Sequence, residues 1–315
     1  MWDPIMWGLY SQLAMLLLLL VPPSPAHDAE ESQDEPVFSH IIGGQDAQKG
    51  RWPWQVSVQK YGDHICGGSL ISAQWVVSAA HCFNPSLPDS VYRMHLGEYQ
   101  LSNPTGSSYP VHCIVIHPDY NQNTSVADIA LVQLTKPVTF TDTIHSISLP
   151  VPSIPFPAGE MCWVTGWGSI GWGCGDTLKP PKTLQELQVS LIAASTCREH
   201  MGKCSHQIKD DMLCTGSRGD PSGPCKGDSG GPLVCPRNGN FVLAGIVSWG
   251  INCTASTPRP EVYIGVPGYV NWIQNVMSST GPSAISPVPL ESLSNGLVAP
   301  ALAAPLLAGL LLTGL

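Results

Sequence analysis

The chain has 315 residues, a formal net charge of −9 at pH 7, 31 glycines and 30 prolines. This length excludes a disulfide-stapled miniprotein, and an acidic balance without a basic stripe argues against nucleic-acid binding. The glycine and proline content favours a turn-rich, mostly β protein over a helical one.

Residues 1–26 have the features of a secretory signal peptide. An apolar run over residues 13–21 precedes Ser24 and Ala26, small residues that suit signal peptidase, although Asp3 stands where a positive charge is usual. The alternative, a buried or membrane-spanning helix, is disfavoured because the run is too short to cross a bilayer. Eleven cysteines in an exported chain then indicate disulfides rather than a metal site.

Residues 41–278 are predicted to form one globular unit. Runs such as WQVSVQK, WVVSAA, IALVQL and FVLAGIVSW are strand-like and lie between clusters of Gly, Pro, Asn and Ser. Only VPGYVNWIQNVM, residues 266–277, has helical spacing. Many short strands with turn signals indicate an all-β barrel or sandwich.

Three motifs contain candidate catalytic residues. SAAHC contains His81, ADIALVQL contains Asp128, and GDSGGP contains Ser229. A serine hydroxyl is a weak nucleophile unless an imidazole takes its proton, and that imidazole needs a carboxylate to fix its tautomer. Over residues 41 to about 275 the chain resembles secreted serine proteases of the trypsin/chymotrypsin family. The resemblance implies two antiparallel six-stranded β-barrels with a C-terminal helix and the triad in the cleft between the barrels.

The resemblance also implies how the cleft holds a substrate. The backbone N–H groups of Gly227 and Ser229 would form the oxyanion hole. The segment VSWG, with Ser248, Trp249 and Gly250, would pair with an extended substrate as an added strand.

Activation is implied by IIGG, which resembles the mature N-terminus of the family. The freed amine of Ile41 would pair with the buried Asp228. The preceding acidic leader, residues 27–40, ends in His40 and contains no Lys or Arg. Activation therefore requires cleavage after His40 by an enzyme that is not trypsin-like, or trimming from the start of the leader; otherwise the zymogen persists.

The odd number of cysteines leaves at least one thiol without an internal partner. Whether Cys174 and Cys204 pair is open, and Cys113 is left over as well. The pairs that the resemblance implies are Cys66 with Cys82, Cys162 with Cys235, Cys197 with Cys214, and Cys225 with Cys253.

The substrate pocket departs from the family pattern. Six residues before Ser229, where trypsin-like members have aspartate, this chain has Gly223, followed by Pro224, which stiffens the wall. Glu261 in RPEVY stands where a wall glycine is usual. It either points inward, where it meets a basic side chain or shortens the pocket, or lies outward in solvent. Lys226 is either an ordinary solvated lysine or favours acidic residues after the cut.

Residues 279–296 form a Ser/Pro-rich linker and residues 297–315 an apolar tail. The tail has no basic residue after it, which fits a GPI-attachment signal, with a C-terminal membrane span as the alternative. The predicted location is the extracellular face of the cell membrane, or the medium if the protein is secreted. Asn123 in NTS is a candidate glycan site. No metal or cofactor is expected, because Glu98 has no second carboxylate nearby in sequence to complete a calcium loop.

The sequence thus predicts an exported serine endopeptidase made as a zymogen and acting through an acyl-enzyme. Its partners would be protein or peptide substrates and macromolecular protease inhibitors, with attachment to the membrane through the C-terminus and no nucleic acid. The alternative is a non-catalytic or permanently zymogen-like protein that uses the protease fold for binding.

Overall fold

The structure is a computed structural model, and the chain divides into two compact units, Met1–Ser39 and His40–Leu315. All described residues belong to the second unit. The predicted signal peptide, leader, new N-terminus Ile41 and apolar tail lie outside them. The structure describes residues 44–169, 177–216, 223–224, 226–250 and 260–279.

Six antiparallel strands form a first closed barrel, in the order β2-β3-β4-β7-β6-β5. In β2 the apolar side chains Val56 and Val58 point into the barrel core, and the polar residues Gln55 and Ser57, which alternate with them, are buried as well. Gln55 faces the other barrel, where its Oε1 accepts a hydrogen bond of 2.6 Å from Thr165 Oγ1. The strands are β2 Gln55–Lys60, β3 Asp63–Ser72, β4 Trp75–Ser78, β5 Tyr92–Leu96, β6 Ser107–Ile116 and β7 Ala130–Leu134.

Six further antiparallel strands follow the order β9-β10-β13-β12-β11-β8, and pairing of β8 with β9 closes them into a second barrel. Val164, Leu233 and Tyr263 are among its buried core residues. The predicted architecture of two six-stranded antiparallel barrels is confirmed. A short strand β1, Gln45–Asp46, adds to the edge of β9. The barrel strands are β8 Met161–Gly166, β9 Gln185–Ile192, β10 Met212–Thr215, β11 Pro232–Arg237, β12 Asn240–Gly250 and β13 Glu261–Gly265.

The segment leading into β2 is anchored to the second barrel through Glu186 of β9. This carboxylate is 2% exposed and accepts hydrogen bonds from Arg51 Nη1 at 2.5 Å, Trp52 Nε1 at 2.8 Å and Gln45 Nε2 at 3.1 Å. The Arg51 guanidinium also lies 4.3 Å from the centroid of the Trp163 ring. Three donors satisfy the buried charge, so the segment that leads into the first barrel is held to β9 of the second barrel by a paired polar contact.

Two α-helices occur among the described residues. The predicted C-terminal helix is α2, Val270–Ser279, and the first residues of its pattern, Val266–Tyr269, form a 3₁₀ turn instead. The helix α1, Ala194–Met201, was not predicted, because its mostly polar sequence buries only Cys197 and Met201. Within the part of the chain that the structure describes, no helix is long and apolar enough to cross a membrane.

Candidate active site

His81 and Asp128 are brought together where the first barrel borders the cleft. His81 lies in a 3₁₀ turn, Ala80–Cys82, directly after β4, and Asp128 lies just before β7, the strand that pairs with β4. His81 Nδ1–H donates to Asp128 Oδ2 at 2.7 Å, and the backbone N–H of His81 donates to Asp128 Oδ1 at 2.9 Å. The histidine side chain is 32% exposed and the aspartate 1%. The buried Asp128 carboxylate therefore holds the Nδ1 edge of the His81 ring, while the opposite edge of the ring stays accessible to solvent.

Ser248, near the end of β12, makes a contact that sequence reasoning did not foresee. Its hydroxyl donates to Asp128 Oδ2 at 2.5 Å, so one carboxylate oxygen accepts from both His81 and Ser248. Three donors in all satisfy the buried carboxylate, which would otherwise be costly to hold in the interior.

Replacing Ser248 by Ala is expected to lower kcat about 10-fold, because a charge-assisted hydrogen bond that orients Asp128 is lost. Steady-state kinetics on a peptide substrate measures the effect. Ser108→Ala is the matched control, since the exposed Ser108 hydroxyl accepts a 2.9 Å bond from Arg93 Nε on β5. An equal effect of the two substitutions would show that the contact with Asp128 does not matter.

The backbone around Ser229 is held between the two barrels. The N–H of Gly67 in β3 donates to the Ser229 carbonyl at 2.8 Å, and the N–H of Gly230 donates to the Val247 carbonyl of β12 at 2.7 Å. Gly230 has φ +77°, and a Cβ there would lie 2.1 Å from Ser78 Oγ. Ser229 itself stays partly exposed. The sharp turn thus presents the serine at the surface of the cleft while its neighbours are buried.

The peptide units that carry the two predicted oxyanion donors are fixed by their carbonyls. Ser169 N–H donates to the Lys226 carbonyl at 2.7 Å, and Gly231 N–H donates to the Asp228 carbonyl at 2.9 Å. In a trans peptide the C=O and the following N–H point in opposite directions. The N–H groups of Gly227 and Ser229 therefore point away from Ser169 and Gly231.

Asp228 occupies a cradle made of glycines. Its side chain is buried and accepts a 2.8 Å hydrogen bond from Gly168 N–H. A Cβ on Gly166 would lie 2.0 Å from Asp228 Oδ1, and one on Gly168 would lie 2.4 Å from Oδ2. The glycines of TGWGS are thus required by the carboxylate, and the expected partner Ile41 lies outside the described residues.

His64 of β3 supports the same segment, and sequence reasoning missed it because a lone histidine in DHICGG belongs to no catalytic motif. Its Nε2 lies 3.1 Å from the Gly227 carbonyl and its Nδ1 lies 2.9 Å from Ser57 Oγ. A carbonyl only accepts, so Nε2 carries the proton and Nδ1 accepts from Ser57. Burial lowers the pKa of His64 from 6.5 to about 4, against the effect of the Gly227 bond, and Lys182 lowers it as well.

The low pKa of His64 predicts a loss of stability in acid. The unfolded chain takes up this proton near pH 6.5, whereas the folded protein takes it up only near pH 4. The contribution of neutral His64 to the free energy of unfolding is therefore fully present above pH 6.5. As the pH falls through that window, we expect the free energy of unfolding to decrease by about 3 kcal/mol. Urea unfolding between about pH 7.5 and pH 4 measures it.

His64→Gln removes the titrating group, so this variant should lose less stability across the same pH range than the unchanged protein. His112→Gln, at an exposed histidine of β6, is the matched control. Parallel pH profiles for the unchanged protein and for His64→Gln would contradict the assignment.

Of the predicted substrate-pocket residues, Ser248–Gly250 and Glu261 lie on the neighbouring strands β12 and β13. Trp249 and Gly250 end β12, and Gly250 is directly opposite Glu261 at the start of β13. Gly223 and Pro224 are buried, whereas Lys226 is exposed. A Cβ on Gly223 would lie 2.9 Å from Glu261 Cγ, so the glutamate side chain packs against Gly223.

Three of the implied disulfides are present. Cys113 of β6 is a free thiol whose Sγ lies 3.5 Å from Gln133 Oε1, and burial raises its pKa. The implied pair Cys225–Cys253, together with Cys174 and the side chain of Cys204, lies outside the described residues. The bonds formed are Cys66–Cys82, Cys162–Cys235 and Cys197–Cys214.

Glu98, which resembles one ligand of a calcium loop, is bound by donors of the protein. It accepts hydrogen bonds of 3.0 Å from the N–H groups of both Thr105 and Gly106, and His95 Nδ1 lies 3.5 Å away. Burial by itself would raise the pKa of Glu98, but the contacts with His95, Gly106 and Thr105 outweigh it and lower the pKa. The carboxylate is thus stabilised by neutral donors and a histidine.

Comparison with known proteins agrees with this geometry. The family model for Trypsin matches residues 41–273. A tryptase from Mus musculus is 44% identical over 245 residues, covering 75% of this chain and 88% of the mouse protein. The family match extends over both barrels. The chain therefore belongs to the trypsin family and is a serine endopeptidase.

Proposed function

We propose that His81, Asp128 and Ser229 form the catalytic triad of this endopeptidase and that Gly227 and Ser229 supply the oxyanion hole. The observation that carries the proposal is the binding of both Asp128 oxygens to His81, at 2.7 and 2.9 Å. Because Asp128 holds the proton on Nδ1, the lone pair of His81 lies on Nε2, at the exposed edge of the ring.

The proposed reaction has two stages, formation and hydrolysis of an acyl-enzyme. Ser229 Oγ attacks the carbonyl carbon of the scissile peptide, and its proton passes to His81 Nε2. The negative charge that develops on the carbonyl oxygen is stabilised by the N–H groups of Gly227 and Ser229. The C–N bond breaks, His81 gives the proton to the departing amine, and water hydrolyses the acyl-enzyme with the same histidine as base.

A fluorophosphonate probe tests the triad on protein with the leader removed. We expect one covalent adduct at Ser229, found by mass spectrometry of the labelled peptide, and none in Ser229→Ala. Absence of labelling in a protein that unfolds cooperatively would overturn the proposal and favour the non-catalytic binding protein that uses the same fold.

We further propose that the protein is made as a zymogen whose activation pairs the amine of Ile41 with Asp228. The glycine cradle supports this, because it holds the Asp228 carboxylate in the interior, where an amine that becomes buried needs an anionic partner. N-terminal sequencing of protein from expressing cells tests it. Ile41 as the first residue, with a labelled Ser229, is expected for the active form, and a start at His27 without labelling for a persisting zymogen.

The remaining parts of the proposal concern location and partners. The apolar tail supports GPI attachment at the cell surface, and release by a GPI-specific phospholipase distinguishes this from a membrane span or a secreted form. Asn123 is exposed in the turn before Asp128, which supports glycosylation there. Protein substrates and macromolecular protease inhibitors would enter the cleft that holds His81 and Ser229.

A further inference from the structure

Asp128 stands in a tight turn whose backbone is strained. The Ile129 N–H donates to the Ala127 carbonyl at 2.7 Å, which closes a γ-turn with Asp128 at its centre. Ala127 has φ +50°, a left-handed conformation that is unfavourable for a residue with a side chain. It is also buried, so the strained peptide lies in the interior and not at a loop tip. Such a backbone persists only where neighbouring groups hold it in place.

The hydroxyl of Tyr269 is one of these neighbouring groups. Tyr269 is buried at the end of the 3₁₀ turn Val266–Tyr269, just before α2. Its oxygen accepts a hydrogen bond from the backbone N–H of Ala127, and its own proton is donated to Asp211 Oδ2 at 2.5 Å. The phenol oxygen therefore joins the strained peptide unit to a carboxylate of a distant segment.

The direction of both hydrogen bonds is fixed by the protonation of Tyr269. Burial and the contacts with Asp211 raise the pKa of Tyr269 well above its usual value, and they outweigh the opposite effect of the bond from Ala127. The phenol thus keeps its proton and donates it to the carboxylate. Its lone pairs remain available to the Ala127 N–H.

Asp211 is attached to the second barrel, whereas Ala127 leads into the first. Asp211 directly precedes β10, and its carbonyl accepts a 2.8 Å hydrogen bond from Gly265 N–H at the end of β13. Ala127 lies three residues before Ala130, the first residue of β7. The bond through Tyr269 therefore connects the second barrel to the turn that carries Asp128.

The phenol ring is located by a separate contact with the same loop. His117 follows β6, and its N–H donates to the Ile129 carbonyl at 3.1 Å, which closes the loop around Asp128. Its ring lies 5.2 Å from the Tyr269 ring at 87°, and 4.8 Å from the ring of Trp272 in α2. This edge-to-face packing fixes the position of the phenol ring, and the hydrogen bonds then orient its hydroxyl.

We propose that the hydroxyl of Tyr269 positions the catalytic carboxylate by holding the Ala127 peptide unit that precedes Asp128. The inference rests on the proposed function, in which Asp128 orients His81. A shift of the turn would lengthen the 2.7 Å hydrogen bond between Asp128 Oδ2 and His81 Nδ1. The imidazole would then be less well oriented to take the serine proton. Tyr269 is thus a positioning residue that acts through Asp128.

The test compares Tyr269→Phe with the unchanged enzyme, both with the leader removed. The substitution keeps the ring and removes the hydroxyl. We expect kcat to fall about 10-fold and KM to change less than about 2-fold, because the hydroxyl orients the triad without contributing to substrate binding. The ¹H NMR signal of the His81 Nδ1 proton should move upfield, since a longer hydrogen bond deshields the proton less. Tyr99→Phe, which removes a hydroxyl that donates to the Ala47 carbonyl at 2.9 Å, is the matched control and should change neither quantity.

Substitutions of Asp211 test the same contact from its other side. Asp211→Asn keeps an oxygen that accepts from Tyr269, so we expect its kcat to fall less than about 3-fold, whereas Asp211→Ala should match Tyr269→Phe. Both residues act through one hydrogen bond, so the double variant should lose no more activity than either single variant. Asp210→Ala removes the same charge from the exposed neighbouring position and should leave kcat unchanged.

The outcomes distinguish this proposal from that of the triad. An unchanged kcat and His81 signal in Tyr269→Phe, additive losses in the double variant, or an equal loss in Tyr99→Phe would overturn the role of Tyr269 and leave the triad intact. A protein that the fluorophosphonate does not label at Ser229 overturns the triad. An upfield shift of the His81 proton in Tyr269→Phe would still support the positioning of Asp128 in that protein.

Discussion

Replacing Asp128 by Asn is expected to lower kcat about 10⁴-fold while the protein still folds. The reason is that the two oxygens of the Asp128 carboxylate have different partners. Oδ1 accepts from the backbone N–H of His81 at 2.9 Å, so the amide oxygen of Asn takes that place. Its NH₂ group then replaces Oδ2 and faces His81 Nδ1, which must become an acceptor. The ring proton moves to Nε2, and His81 can no longer take the proton of Ser229.

Two measurements check this prediction. Steady-state kinetics on a peptide substrate gives kcat, and ¹⁵N chemical shifts of the His81 ring report which nitrogen carries the proton. Asp142→Asn, at an exposed aspartate, removes the same charge and should leave kcat unchanged. A loss below about 10-fold in Asp128→Asn, or a proton that stays on Nδ1, would refute the assigned role of Asp128.

The barrels and the triad motifs could be predicted because their signals are local. SAAHC, ADIALVQL and GDSGGP each place one reactive side chain in its own short context, and short strands between turn residues indicate an all-β fold. The short helix α1 could not be predicted, because most of its residues are polar and give no apolar periodicity. Its buried residue Cys197 forms a disulfide with Cys214, a contact that lies outside the helix.

The contacts that complete the site could not be predicted, because they join segments far apart in the chain. His64 binds the Gly227 carbonyl across 163 residues, and Ser248 reaches Asp128 across 120. The orientation of Glu261 depends on the register of three strands. A one-residue slip in any of them would turn its side chain to the other face, which no local pattern excludes.

Replacing Gly230 by Ala is expected to destabilise the protein by more than about 3 kcal/mol and to remove most of its activity. Two effects combine at this position. A residue with a side chain is strained at φ +77°, and its Cβ would lie 2.1 Å from Ser78 Oγ and 2.7 Å from the Gly67 carbonyl. Gly67 N–H also holds the Ser229 carbonyl, so any shift that relieves the collision moves the nucleophile.

Gly239→Ala separates these two effects. Gly239 has nearly the same backbone conformation, φ +80°, but its Cβ would meet nothing within 4 Å. It should therefore cost only the conformational strain, about 1 kcal/mol. Urea unfolding and kcat of both variants give the comparison. An equal loss of stability in the two variants would mean that backbone strain alone explains the effect at Gly230. A larger loss in Gly230→Ala, together with an activity defect that Gly239→Ala lacks, would show that the contact between the barrels positions Ser229.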